Sequence, residues 1–253
     1  MAPLPAATPS RAFLDVRIGN PAAQVAEEEA YTRAVAFVKA KCSALGVDTQ
    51  TAPENLEEWQ RDMVSELHEA DPIWSAKGKL RLTPPPTPPG GRLVFQLHTK
   101  ACPKTTLNFT SLCTGASGLS KTTKKPLHFA RTPIHRIVKG YIAQGGDITR
   151  HDGSGGDSIF SGAFNDEKEG LKTGFAKGRG VLAMANSGKN SNTSQWFVTL
   201  TDNADQLKKM EGKYVVFGEL VEGFEVLDAL NNVGTDSGNP NTPVMVWECG
   251  VLP

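Results

Sequence analysis

The feature that most limits what this chain can fold into is the series of short apolar runs between residues 92 and 253. RLVFQLHT, IHRIVKGYIAQGG, GVLAMA, SQWFVTL, KYVVFGEL and VMVWECG are bounded by Gly, Asn, Asp or Pro. Strand-length runs with turn residues at this spacing predict a sandwich or barrel. Residues 12–18, AFLDVRI, follow the same rule, since Leu14, Val16 and Ile18 alternate with Phe13, Asp15 and Arg17. Period two means a strand with one face inward. Two helices interrupt the pattern. One, over 103–113, starts at a proline, stops at Gly115 and offers Leu107, Leu112 and Cys113 for packing. The other, over 222–233, carries Val226, Leu227, Leu230 and Val233 and stops at Gly234.

Residues 21–81 have a different character. Asn20 and Pro21 suit the cap and first turn of a helix, and Glu27, Glu28 and Glu29 sit near its positive end. Tyr31, Val35, Val38, Cys42 and Leu45 recur at helical steps, and Gly46 suits a stop. A second helix is expected over 53–68, with Leu56, Trp59, Met63 and Leu67 on one face. Together they predict a helical hairpin. Residues 83–91, TPPPTPPGG, hold five prolines and read as a stiff, extended spacer.

Composition narrows the function. Lys+Arg and Asp+Glu are both 27, so no bulk field draws the chain to nucleic acid or to an anionic membrane surface. No apolar run approaches the roughly 20 residues needed to cross a bilayer, and the first residues lack the layout of a secretory signal. Cys42, Cys102, Cys113 and Cys249 show neither a CxxC pair nor metal-type spacing with the histidines. The expectation is reduced thiols, a cytoplasmic setting, no metal and no cofactor. The sequons NFT and NTS lack a secretory context, and the HDGSGG loop lacks the GK[ST] of a phosphate loop.

Four blocks, in order, carry a resemblance: CPKTTLNFTSLCTG (102–115), IHRIVKGYIAQGGDITRHDGSGG (134–156), LAMANSGKNSNTSQWFVTL (182–200) and EGKYVVFGELVEGFEVLDAL (211–230). They resemble the cyclophilins, peptidyl-prolyl cis-trans isomerases that bind cyclosporin. The resemblance implies a mainly β fold, a closed antiparallel eight-stranded barrel with two capping helices. The family's first two strands look like AFLDVRIG (12–19) and GRLVFQL (91–97), normally joined by a short turn. Here about seventy residues separate them, against the two to five of an ordinary hairpin loop. The organisation expected is a tail and first strand (1–19), a helical insertion with its proline linker (20–90) and the rest of the barrel (91–253). An N-terminal accessory domain before a complete barrel is the alternative, at the cost of a missing first strand and exposed edges.

The family's reaction is rotation about an X–Pro amide, over a barrier of about 20 kcal/mol set by resonance. It needs an apolar pocket for the proline ring, a donor near the amide and a clamp on the neighbouring backbone. By resemblance Arg136 is the catalytic arginine, and Gln144 orients it and contacts substrate. Ala185 and Asn186 clamp the backbone, Tyr141, Ile142 and Phe197 line the pocket, and Gln195 sits at its rim. Tyr214 stands where the family often has His, and Tyr141 where it has Phe. The loop 202–212 is longer than usual and lacks the family's Trp, with Leu207 or Met210 as the apolar replacement, so weak cyclosporin binding is expected. Trp196 is no substitute, because it points to the opposite face from Phe197. His135 is read as structural. The stretch 115–133 resembles the divergent-loop subgroup, in which cysteines matching Cys113 and Cys249 can form a regulatory disulfide; two buried, inert thiols are the plainer reading.

The expected function is therefore isomerisation of X–Pro bonds in protein substrates, with proline-containing chains as partners. The 20–90 segment would select a protein partner. The rival is a weakly active cyclophilin-fold binding or scaffold module, docked in a larger assembly through that segment.

Overall fold

The computed structural model describes residues 9–253. They fall into two compact units, one formed by the first strand with everything from Pro89 onward, the other by Asn20–Pro88.

The first unit is a curled antiparallel sheet with nine strands among the described residues: β1 Arg11–Ile18, β2 Gly90–Leu97, β3 Thr132–Pro133, β4 Arg136–Val138, β5 Ile142–Gly145, β6 Val181–Met184, β7 Trp196–Thr199, β8 Val216–Glu222 and β9 Val244–Leu252. Their hydrogen-bonded order is β3-β9-β1-β2-β8-β6-β7-β5-β4. The two end strands are neighbours in the chain, separated only by Ile134 and His135. Counted as one broken strand, β3 and β4 reduce the number to the eight expected and link the two ends of the order covalently. β1 pairs with β2 on one side and β9 on the other, so Arg11–Ile18 is an integral, central strand. Its alternation is as expected, with Ala12, Leu14, Val16 and Ile18 buried.

Two helices pack on the main core. Helix α4, Pro103–Thr114, ends at Gly115 in the left-handed conformation. Helix α7, Phe224–Val233, buries Val226, Leu227 and Leu230. The expectation for Leu107 is corrected, since it is 42% exposed. The buried face of α4 is instead built from Thr105, Thr106, Asn108, Phe109, Leu112 and Cys113. Its polar members are satisfied: the Thr106 and Thr110 hydroxyls donate to carbonyls one turn back, and the Glu167 carboxylate accepts from the Thr105 hydroxyl and backbone N–H. A hydrogen-bonded polar group can be buried at little cost. Short helices α5, Lys168–Thr173, and α6, Ala204–Lys208, lie outside what periodicity could reveal. Asn108 and Asn192 of the two sequons are buried.

The second unit is helical: α1 Pro21–Leu45, a 3-10 turn Pro53–Asn55, α2 Glu58–Ala70 and the short α3 Pro72–Ser75. The Asn20 side chain caps α1, accepting from the Ala22 and Ala23 N–H groups, and Gly46 closes it in the left-handed region. The expected single helix over 53–68 is broken at Leu56, which is extended. The expected faces are corrected in part. Val35 and Trp59 are exposed, whereas Phe37, Val38, Leu45, Leu56 and Val64 form the unit's core. Trp59 turns outward because Gln60 turns inward. The Gln60 amide donates to the Leu45 carbonyl at 3.0 Å and accepts from the Glu57 N–H at 2.9 Å, stitching the ends of two helices together.

Candidate active site

Strand register sets the site. Arg136 on β4 lies opposite Gln144 on β5, Gln144 opposite Phe197 on β7, and Phe197 opposite Ala183 on β6. Directly opposed residues share a face of a sheet, so one row crosses four strands from a cation, through an amide, to an aromatic ring. Trp196 and Val198, one position away on β7, belong to the main interior core, while Phe197 belongs to a separate cluster.

That cluster contains Ile142, Ala185, Phe197, Leu207 and Met210, with Tyr141 and Tyr214 partly buried at its edge. The Phe197 ring meets Tyr214 edge-on at 5.1 Å between centroids and stacks on Phe175 at 6.1 Å. Such aromatic pairs add about 0.5–1.5 kcal/mol each beyond burial and hold the rings in fixed orientations. Leu207 and Met210, on and just after α6, close the apolar wall in the loop that lacks a tryptophan. Both are buried, like Ile142 and Phe197 of the same cluster.

Arg136 is exposed, and its aliphatic stem lies against Gly238, where a Cβ would stand 3.0 Å from the arginine Cγ. The Ile137 N–H donates to the Gly238 carbonyl, which fixes that loop beneath the strand. Among the described residues the guanidinium has no hydrogen-bond or ion-pair partner, so its planar set of donors is open to an incoming amide. Gln144 faces Arg136 across the ladder, but its side-chain N–H donates to the Gln195 side-chain Oε1 at 2.9 Å. The Gln195 amide in turn donates to the carbonyls of Gly153 and Gly155. Asn186 donates to the Lys213 carbonyl and accepts from the Gly188 N–H, and the Ala185 N–H donates to the Gln195 carbonyl. A cavity of about 210 Å³ is lined by Gln144, Ala185, Asn186 and Gln195 together with the 153–155 loop. A larger one, of about 650 Å³, shares Asn186 with it and reaches Tyr214.

Burial, then the neighbouring Tyr214, raise the Tyr141 phenol, and Arg136 partly offsets them. His135 is pushed down by burial against the pull of Asp147 and packs on Gly153.

Sequence reasoning passed over two contributors. Phe175 backs the Phe197 ring, but its neighbours FAKGRG carry no periodic signal. Asp147, the acid of the QGGD run, accepts from the N–H groups of Thr149, Arg150, Gly153 and Gly155 and from the Thr149 hydroxyl. Burial alone would raise its pKa, but these donors outweigh it and hold the carboxylate well below its usual range. The same donors shape the loop whose carbonyls receive Gln195. The glycine before it, Gly146, has φ +84°, and a Cβ there would fall 2.5 Å from the Ser194 carbonyl. That close approach, together with the positive φ, explains the residue type.

Cys113 and Cys249 are free thiols. Burial pushes Cys113 strongly up and Cys249 up to about 12, so both stay protonated. A protonated thiol is neither a nucleophile nor a metal ligand. Among the described residues no His, Cys, Asp and Glu cluster fits a metal ion, and no helix is long and apolar enough to cross a membrane.

Residues 87–251 match the family model of cyclophilin-type peptidyl-prolyl cis-trans isomerases. The chain is 46% identical over 165 residues to the NK-tumor recognition proteins of Mus musculus and Homo sapiens. That alignment covers 65% of this chain and 11% of each relative, so the chain spans a small part of the length of the curated relatives it matches. A sheet that brings Arg136, Gln144 and Phe197 into one row, and a family model matched over most of the chain, agree: this chain belongs to the cyclophilin-type peptidyl-prolyl cis-trans isomerase family.

Proposed function

We propose that the chain accelerates rotation about X–Pro bonds in protein substrates, with Arg136 as the catalytic residue. The observation that carries this reading is the Arg136–Gln144–Phe197 row. A proline ring seated against Phe197, Ile142 and Tyr214 leaves its amide within reach of the arginine. Rotation removes amide resonance and localises a lone pair on the proline nitrogen. A guanidinium donor stabilises that twisted form more than either planar form, which is the condition for catalysis. Ala185 and Asn186 hold the neighbouring backbone, and Gln144 and Gln195 keep a polar surface beside it. No bond is broken and no proton is consumed.

Cyclosporin is expected to bind weakly, because the 202–212 loop supplies Leu207 and Met210 and no indole. The four free cysteines support a reducing, cytoplasmic setting. We read residues 20–90 as an insertion between β1 and β2, a reading supported by the pairing of β1 with both β2 and β9.

The test is catalysed cis-trans exchange of an Xaa-Pro peptide followed by NMR, with Arg136→Ala as control. Exchange that vanishes in the variant supports the isomerase. The hydroxyl-bearing walls, Tyr141 and Tyr214, favour the second reading, a proline-binding module with weak turnover. Chemical-shift changes without enhanced exchange would establish that one instead.

A further inference from the structure

The larger cavity beside the proline site carries charge that nothing in the isomerase reading uses. Lys189 and Lys213 line it, together with Asp166, Asn186, Gly188 and Tyr214. Asn186 and Tyr214 are also members of the proline site, so the cavity adjoins both the backbone clamp and the aromatic wall. Lys189 and Lys213 are exposed, and among the described residues neither ammonium has an ion-pair or hydrogen-bond partner.

The one carboxylate in the lining, Asp166, offsets only one of the two charges. Asp166 accepts from the Asn190 N–H at 2.9 Å and from the Asn192 amide at 2.7 Å, while its own N–H donates to the Asn190 side chain. These bonds pin the loop that carries Lys189. The loop is closed further by the Ser187 N–H on the Ser191 hydroxyl and by that hydroxyl on the Gly188 carbonyl. Lys213 is held from the other side, where its carbonyl accepts from Asn186. Glu211, close in sequence, is directed to Gly174. Two cations are thus fixed at their backbones around a cavity whose lining carries a net positive charge.

We propose that this cavity is an acid-selecting subsite, receiving a carboxylate or phosphate side chain of the protein whose proline occupies the Phe197 pocket. Lys189 and Lys213 supply the charge, and Asn186 and Tyr214 tie the subsite to the clamped chain. An extended chain advances about 3.3 Å per residue, and the two sites share Asn186 and Tyr214, so the acidic residue is sought at the three positions on either side of the proline. The inference rests on the isomerase reading for its substrate, and adds which prolines are chosen.

The experiment uses the full chain and a set of proline peptides differing at one position. The residue at each of three places on either side of the proline is Gln, Glu or phosphothreonine, and catalysed exchange is followed by NMR. At least one acidic placement should exchange about three- to tenfold faster than its Gln counterpart at low salt, the range two exposed charge pairs can give. The ratio should fall towards one in Lys189→Ala/Lys213→Ala. It should also shrink as salt shortens the screening length to roughly 10 Å and below. Glu and phosphothreonine arms separate a carboxylate site from a phosphate site. Equal exchange for acidic and neutral peptides, or a preference that survives the double variant, overturns the subsite.

If no peptide exchanges, the isomerase reading fails. The shifts of the Gly188, Lys189 and Gly212 amides then decide the subsite. Perturbation by the acidic peptides and not by the Gln peptides upholds it, and identical responses overturn it.

Discussion

Strand β7 has two sides, and they belong to different worlds. Trp196 and Val198 point into an interior shared with Phe109, Phe129 and Phe217, where aromatic centroids lie 5.2–6.4 Å apart and all five side chains are buried. Phe197 points to the other side, into a smaller apolar cluster edged by half-buried Tyr141 and Tyr214 and by the exposed Arg136. Both faces bury apolar surface, but only the second meets polar groups and solvent at its rim. A closed interior can do nothing but stabilise. A face with an apolar floor, an aromatic wall and an unpaired cation can hold a proline and act on its amide. Period-two alternation along four strands is what divides the labour.

The largest effect expected from this division is in stability. Phe217→Ala leaves a void among Phe109 and its neighbours and should cost about 3–5 kcal/mol. Phe197→Leu keeps most of the volume and should cost under about 1.5 kcal/mol, yet weaken peptide binding by removing the flat ring. Urea unfolding and peptide titration of the two variants check the contrast. Equal stability losses with unchanged peptide affinity would erase the distinction between the faces.

Arg136→Ala comes next and reads the other way. The side chain is exposed and unpaired, so the unfolding midpoint should barely move. Removing one preorganised donor from a transition state typically costs a hundredfold or more in rate, or about 2.7 kcal/mol. NMR exchange and thermal unfolding on the same sample test both halves. A fall in exchange matched by a fall in stability would make the arginine a structural residue.

The strands of the first unit were legible in the sequence from their alternation and turn residues, but the residues of the functional face were legible only through the family resemblance of the QGGD and SQWF blocks. The register that aligns Arg136, Gln144 and Phe197 is set by pairing between strands distant in sequence. Periodicity alone fails on the helices. In α1 and α2 apolar residues occur on more than one side, and which side is buried depends on partners distant in sequence. Phe37 is chosen by edge contacts with His68 and Trp74, not by the stripe that includes Val35. Trp59 loses its place to Gln60, whose amide bridges two helix ends. Leu107 is displaced by threonines and an asparagine whose polar atoms are all provided for within α4 and its neighbours. Ring contacts and side-chain hydrogen bonds, some local and some between remote segments, decide these cases, and a periodicity does not contain them.

Asp147 tests how the functional face is held rather than how it acts. Its carboxylate collects four backbone N–H groups and one hydroxyl, and the loop it shapes receives Gln195. Asp147→Asn turns one acceptor into a donor facing N–H groups, a change worth about 1–3 kcal/mol at a buried site. The pKa is lower in the folded state than in the unfolded chain, so the unfolded chain binds the proton more readily. The stabilisation is therefore present above the ordinary carboxylate pKa of about 4 and lost as pH falls below it. Unfolding from pH 7 to pH 3 should show a steeper acid loss in the parent than in the variant. Because Asp152 and Asp157 are also held low by their own donors, the difference between the two profiles isolates Asp147. Parallel profiles would mean that the loop is held by other bonds.

Tyr141→Phe should have the smallest effect, and it separates the enzyme from the binding module most finely. The Tyr141 hydroxyl has no hydrogen-bond partner among the described residues, and the ring is half-buried beside Tyr214 and Arg136. A hydroxyl that stays wet costs nothing until a ligand covers it. It then loses water without gaining a protein partner, a penalty that peptide binding must absorb. Removing it should tighten binding of a proline peptide by about two- to threefold, a few tenths of a kcal/mol on the scale of one partly desolvated hydroxyl. Exchange by the bound peptide should be unchanged, because Arg136 keeps its place. Weaker binding in the variant would mean that the hydroxyl contacts the substrate, making Tyr141 a polar participant of the site rather than a wall of the proline pocket.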